Sequence, residues 1–169
     1  MPRPTPFKIT ILKEEHRKKY IGDIDNIIAR SKWERDFFET LISNPDVLKV
    51  ASEEIVVPYY FKANKKWHRY YPDFFFAIRK NDGSIGKYIV EVKPYAQTQK
   101  PQPRGSHPSQ KRKYNREMFV FMKNIAKWEA CIQFCKKNKC EFLILTESKK
   151  QGTEYKLWDW RELLSEFLV

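Results

Sequence analysis

The sequence lacks the features of several large protein classes. None of its 169 residues lies in an apolar run near the ~18 residues that a membrane span needs. It has only five glycines and no GxxxxGK[ST] phosphate-binding loop. Its three cysteines, an odd number, favour a reduced protein over a disulfide scaffold. The first residues, Met1 to Pro6, have no apolar core of a secretory signal, so we expect a cytoplasmic protein that is neither secreted nor membrane-bound.

Acidic residues are far fewer than basic ones, which leaves a strong basic surplus. There are 33 Lys and Arg against 21 Asp and Glu, a net charge of +12. Residues 93–139 hold 12 basic and 2 acidic side chains, whereas residues 36–92 hold 8 of each. A clustered surplus of this kind is typical of nucleic-acid binding. The alternative is a solvated Lys-rich helix face, and an anionic membrane is the least expected partner because no lipid-anchor signal is present.

The length fits a single domain, residues 1–169. The predicted order of elements is a helix, a β-rich stretch, further helices, a strand and a last helix. This order predicts an α/β or α+β fold with a mixed central sheet flanked by helices. Residues 1–29 are expected to form an irregular N-terminal arm that packs on this body. Residues 94–108, rich in Pro, Gln and Ser, are expected to form a flexible loop.

The apolar spacing gives the bounds of these elements. Helices are predicted from Ser31 to Asn44, from Ser109 onwards, around Trp128–Cys135 as a separate helix, and at Trp158–Leu168. Strands are predicted at Ile55–Phe61, Tyr70–Ile78, Tyr88–Val92 and Phe142–Leu145.

Two acidic residues fall opposite each other in a predicted hairpin. Asn81-Asp82-Gly83 is a turn signal, and a hairpin centred on Asp82 pairs Asp73 with Glu91. Opposed like charges repel, which favours a divalent cation such as Mg²⁺ between them. Lys93 shares the face of Glu91, where it would orient an attacking water or stabilise charge on a phosphate. The alternative is a turn-entry Asp beside an ordinary Glu–Lys pair.

Glu34 is a third candidate carboxylate on the first predicted helix. It lies beside the apolar face formed by Phe37, Phe38 and Leu41, where an unpaired charge is costly. The spacing from Ser31 also fits a capping box, in which Glu34 folds back onto the helix start. The spacing leaves both interpretations open.

Taken together, Pro72-Asp73, Glu91-Val92-Lys93 and a preceding helix with Glu34 resemble the PD-(D/E)xK nuclease superfamily. The resemblance is more specific to the head completion nucleases of T4-like tailed phages, over roughly residues 20–147. The stretches that carry it include Arg30–Glu34, Arg69–Asp73, Glu91–Pro94, Lys127–Trp128 and Phe142–Glu147. Parts of the same pattern also resemble the endonuclease subunit of Tn7-type transposons.

The resemblance implies an active site of Glu34, Asp73, Glu91 and Lys93. It implies Mg²⁺, with Mn²⁺ as a substitute, held mainly by Asp73 and Glu91 together with the Val92 carbonyl and Glu34. In the phage family the implied role is to process or protect the end of packaged DNA before the tail joins the filled head. The implied partners are double-stranded DNA and head, portal or neck proteins, in the host cytoplasm or on the virion.

Two rival functions are compatible with the same resemblance. One is a non-catalytic DNA-end-binding or neck-assembly protein on a nuclease fold, and the other is a transposon-end endonuclease subunit. For DNA contacts we expect the basic cluster that follows the predicted loop, which is formed by Lys111, Arg112, Lys113 and Arg116.

Overall fold

A computed structural model describes residues 6–146 and the backbone of residues 147 and 155–159. The helices are α1 (Glu14–Arg17), α2 (Lys32–Ser43), α3 (Tyr95–Thr98) and α4 (Pro108–Asn138). The strands are β1 (Phe7–Ile9), β2 (Ile27–Ala29), β3 (Val47–Ser52), β4 (Val57–Phe61), β5 (Lys66–Tyr70), β6 (Phe74–Arg79), β7 (Ile85–Val92), β8 (Glu141–Glu147) and β9 (Tyr155–Asp159). None of the helices described is long and apolar enough to cross a membrane.

The centre of the molecule is a five-stranded mixed sheet in the order β3-β6-β7-β8-β9. Only β7 and β8 pair in parallel, and the other neighbours are antiparallel. Parallel neighbours need a crossover connection, and α4 lies within the segment that joins β7 to β8. The mixed sheet and its flanking helices confirm the predicted α+β class.

Side chains that alternate along the strands build one apolar layer on each face of the sheet. Val90 and Leu145 pack with α2, whose Phe38 is 1% exposed. Their neighbours Ile89 and Ile144 face the other way and pack with α4, whose Trp128 is completely buried. A separate two-stranded hairpin, β4–β5, covers this second layer beside α4.

The N-terminal arm has more regular structure than predicted. Strands β1 and β2 pair antiparallel, and the arm contributes Ile11, Tyr20 and Ile27 to the core beside α2. The backbone N–H of Ile21 donates to the carbonyl of Val50 in β3. The expectation of an irregular arm was therefore wrong. The apolar residues of the arm are scattered in sequence and show no local pattern, and contacts with the rest of the fold order them.

Three further elements differ from the prediction. The two helices expected after Ser109 are one helix of 31 residues, α4. The strand predicted at Tyr70–Ile78 is interrupted between β5 and β6, where Pro72 has no N–H to donate to a sheet. Trp158 lies in β9 rather than in a helix, and residues 160–168 of that predicted helix lie outside the described residues.

The expected loop at 94–108 also contains local order. Helix α3 occupies its first part, and Thr98 at the end of α3 is completely buried. Strand β3 was not predicted at all. It pairs with β6 along Lys49 to Ser52 and forms the edge of the central sheet.

Candidate active site

The register of β6 and β7 brings the two predicted carboxylates together. Phe74 pairs with Val90 and Phe75 with Ile89, so the same register continued by one residue places Asp73 opposite Glu91. This is the pairing predicted from the turn at Asp82. The main chain of Asp73 is also fixed, because its carbonyl accepts a 3.1 Å hydrogen bond from the N–H of Glu53.

Asp73 lies in an electrostatic environment that disfavours its charge. Its Oδ2 accepts a 2.7 Å hydrogen bond from the backbone N–H of Val92. Burial and the charge of Glu91 nevertheless raise the pKa of Asp73 well above its ordinary value, and the cation of Lys93 only partly opposes them. A cation that bound between Asp73 and Glu91 would therefore reduce the repulsion between the two carboxylates.

Glu91 is 2% exposed, and both of its carboxylate oxygens are held. The hydroxyl of Tyr70 donates to Oε2 over 2.6 Å, and Nζ of Lys93 lies 2.6 Å from Oε1. Burial opposes the charge of Lys93, but the charges of Glu91 and Asp73 outweigh it and raise the pKa of Lys93. Lys93 is therefore an ammonium donor inside the site at neutral pH.

Glu34 caps its own helix and also lies near the carboxylate pair. Its Oε1 accepts from the hydroxyl of Ser31 over 2.8 Å and its Oε2 from the N–H of Arg30 over 2.7 Å. Ser31 in turn accepts from the N–H of Glu34. The charge of Glu34 contributes to the raised pKa of both Asp73 and Lys93. Capping and proximity to the candidate site are thus compatible at this residue.

The structure adds two residues that the sequence analysis did not place in the site. Tyr70 was expected as the first residue of a predicted strand, but its hydroxyl binds Glu91. Lys127 of α4 had no assigned role, although the Lys127–Trp128 pair belonged to the resemblance. Its Nζ lies 5.3 Å from the centroid of the Tyr70 ring, a cation–π arrangement. No local sequence pattern predicts a role for Lys127 in the site. It lies 34 residues beyond Lys93, and only the packing of α4 brings it there.

The donor set suits a hard cation in part. In the described residues, no three carboxylate, imidazole or thiol groups are grouped closely enough to enclose a metal ion. The two neighbouring carboxylates, Asp73 and Glu91, are all-oxygen donors, and Mg²⁺ commonly uses one or two carboxylates while keeping several waters. The repulsion that raises the pKa of Asp73 is the kind of interaction that a divalent cation relieves.

Helix α4 links the predicted basic cluster to the site. Lys111, Arg112, Lys113 and Arg116 are all exposed in its first turns. At about 100° per residue, Arg116 lies ~20° and Lys113 ~40° around the helix from Lys127, whereas Lys111 lies ~160° away. Lys113 and Arg116 therefore share the face of Lys127, and Lys111 faces away from it.

Comparison with known proteins shows the family of this chain. The family model of the TnsA-like endonuclease N-terminal domain matches residues 44–147. The chain belongs to the TnsA-like endonuclease family. It is also similar to the head completion nuclease of Enterobacteria phage T4, with 34% identity over 139 residues, covering 82% of this chain and 90% of that protein. No solved structure matches the chain significantly.

The TnsA-like match confirms the predicted resemblance to the transposon endonuclease, and the similarity to the phage T4 protein confirms the resemblance to the phage nucleases. The matched segment contains Asp73, Glu91, Lys93, Tyr70 and Lys127. Glu34 precedes it by ten residues. The TnsA-like part of the chain thus holds the carboxylate pair, its lysine and both residues added by the structure.

Proposed function

We propose that this protein is a Mg²⁺-dependent deoxyribonuclease that processes the end of packaged phage DNA during head completion. The observation that supports it most directly is the buried Asp73–Glu91 pair with Lys93 2.6 Å from Glu91. The nuclease activity is that of the TnsA-like family. The head-completion role follows from the similarity to the phage T4 protein over most of both chains.

Asp73 and Glu91 are the proposed metal ligands, with the Val92 carbonyl and Glu34 as further oxygen donors. When bound, Mg²⁺ would activate a water and neutralise charge on the phosphate oxygens. Mn²⁺ is expected to substitute, since it also prefers carboxylate oxygens. Glu34 is proposed to hold a second cation or its water shell. Both of its oxygens already accept hydrogen bonds, from Ser31 and from Arg30, which favours a contact through water.

Lys93 is proposed to position the attacking water and to stabilise the charge that develops on the phosphate. It is suited to this as an ammonium donor held in place by Glu91. Tyr70 is a positioning residue, since its buried hydroxyl binds Glu91. Lys127 is half-buried near these charges and its ammonium makes no ion pair with a described carboxylate, which leaves it available for a phosphate next to the scissile bond.

DNA is proposed to follow α4 from its exposed N-terminal half to the site. Arg116 and Lys127 are 11 residues apart, about 16 Å along a helix. This path passes Lys113 and Arg116 directly and places Arg112 at its edge. Lys111 contributes least, because it faces away from Lys127.

The test is cleavage of plasmid and linear DNA by the purified protein in Mg²⁺, Mn²⁺ or EDTA. The proposal predicts cleavage in both metals and none in EDTA. Cleavage of linear DNA from its ends would support the end-processing role in particular. Binding without cleavage in any metal would contradict a nuclease that acts alone and, if no partner restores cleavage, favour a DNA-end-binding assembly protein.

The TnsA-like family match also supports a second candidate, a transposon-end endonuclease subunit. Such a subunit would need partner transposase proteins for activity. The same assay separates it from the first candidate, because a protein inactive alone and active only with such partners would fit the transposon function.

A further inference from the structure

The solvent-facing side of the β4–β5 hairpin carries aromatic side chains. Its inner side chains, which include Val57, Tyr59 and Phe61, are buried in the α4 layer. On the outer side Tyr60 pairs with Trp67 across the two strands, with ring centroids 5.7 Å apart. Tyr60 is 44% exposed and Trp67 is 71% exposed. Two adjacent aromatic rings this exposed contribute little to the core and are available to stack on a binding partner.

The charge of the hairpin is of one sign. Residues 57–71 contain four basic side chains and no acidic one, namely Lys62, Lys65, Lys66 and Arg69. Within the described residues, none of the four is in an ion pair. Residues 36–92 have a net charge of zero as a whole, so the count over that segment did not reveal the local basic surplus of the hairpin.

The hairpin leads directly into the candidate active site. Strand β5 ends at Tyr70, which binds Glu91, and Trp67 precedes it by three residues, about 10 Å along a strand. That length corresponds to about three base steps of DNA at ~3.4 Å each. Tyr60 also borders an open groove of about 990 Å³ between the hairpin and α4, whose charged lining residues are Lys62, Lys100, Lys136 and Glu129.

We infer that the outer face of the β4–β5 hairpin binds the unpaired bases of a single-stranded overhang at a DNA end. Trp67 and Tyr60 provide the stacking surface, and Lys62 and Arg69, which alternate onto the same face, bind the phosphates. Aromatic rings in a positively charged surface are the chemistry of single-stranded DNA binding, because every base has a π-face. The inference rests on the proposed function, and it adds a preference for overhanging ends over intact duplex.

The test is equilibrium binding, measured by fluorescence anisotropy in EDTA, where no cleavage takes place. The probes are a labelled blunt duplex and the same duplex with a single-stranded overhang. The wild type is expected to bind the overhang duplex more tightly. Trp67→Ala is expected to weaken that binding about tenfold, within the range for one stacked base, and to leave blunt-duplex binding nearly unchanged.

Two variants serve as controls, after circular dichroism has shown that all variants fold. Trp67→Phe retains an aromatic ring and is expected to retain most of the overhang preference. Ile85→Ala removes another exposed apolar side chain, 58% exposed at the start of β7, and is expected to bind both probes like the wild type.

Equal binding of the overhang duplex by Trp67→Ala and the wild type would overturn the inference, and it is the result expected if this face contacts a protein instead. An equal loss on both probes would also overturn it, since unpaired bases would then not be the target. Because the assay measures binding alone, a failure of the wild type to cleave DNA in Mg²⁺ would refute the nuclease function without changing either outcome.

Discussion

The hydroxyl of Tyr70 donates a 2.6 Å hydrogen bond to Oε2 of Glu91. The bond connects the β4–β5 hairpin to the central sheet, and it is buried. It fixes the orientation of a carboxylate whose other oxygen is bound by Lys93. In many metal sites, partners that hold a ligand in this way are nearly as important for metal affinity as the ligand itself.

Removal of this hydroxyl is expected to weaken metal use before it affects DNA binding. Tyr70→Phe keeps the ring beside Lys127 but leaves Oε2 of Glu91 without its donor. The Mg²⁺ concentration for half-maximal cleavage should rise about 10–100-fold, with DNA affinity in EDTA unchanged. Tyr59→Phe is the matched control in the same hairpin, and an equal shift in that variant would contradict a specific role for Tyr70.

The charge of Asp73 is expected to cost stability in the metal-free protein. Because burial and Glu91 raise its pKa, the folded protein retains a proton on Asp73 at pH values where the unfolded chain has lost it. This contribution to stability is complete below the ordinary Asp pKa of about 3.9 and is lost as the pH rises through the raised value.

Asp73→Asn is therefore expected to be more stable than the wild type in EDTA near neutral pH, with a difference that shrinks on acidification. Each 1 kcal/mol corresponds to about 2–4 °C in melting temperature for a chain of this size. Added Mg²⁺ should raise the melting temperature of the wild type more than that of Asp73→Asn. A variant that melts below the wild type in EDTA at neutral pH would contradict the proposed repulsion between Asp73 and Glu91.

Lys127 is expected to contribute to substrate binding. Burial lowers the pKa of this lysine, and the nearby charge of Glu91 opposes that effect. Lys127→Gln should weaken DNA binding or raise KM about tenfold, the value of one charged hydrogen bond, while Lys127→Arg retains most of the affinity. Lys137→Gln removes the same charge from an exposed position near the end of α4, and an equally large effect there would show that Lys127 acts only through net charge.

Salt dependence tests the path along α4. Each phosphate contact contributes about 0.9 to the slope of log K against log salt concentration. Replacement of both Lys113 and Arg116 by Gln should therefore lower the slope by up to about 1.8. Lys111→Gln should lower it little, because Lys111 faces away from Lys127. A flat salt dependence of the wild type would exclude this DNA path and leave the catalytic proposal intact.

The sequence was sufficient to predict the carboxylate pair because a local signal determines the hairpin. Asn81-Asp82-Gly83 fixes the turn, and the turn fixes the register that places Asp73 opposite Glu91. The mixed sheet with helices on both faces was predictable in the same way, from long segments with clear periodicity.

The remaining features depend on contacts between residues that are distant in sequence. The burial of strand β3 does not alternate regularly, so its sequence pattern is weak. Tyr20 is buried only because the arm folds against β3. The roles of Tyr70 and Lys127 depend on the hairpin and α4 packing on the same face of the sheet as Glu91, and no local pattern contains that information.

The most direct test of the central claim is Mg²⁺-dependent cleavage of linear DNA by the wild type and by Lys93→Ala, with DNA binding measured in parallel. The account predicts that Lys93→Ala folds, binds DNA and loses cleavage by about 10²–10³-fold, the range for the loss of one donor that stabilises charge developing in the reaction. Lys87→Ala, which removes an exposed lysine from the same strand, should cleave like the wild type. Wild-type cleavage rates in Lys93→Ala would contradict the proposed active site.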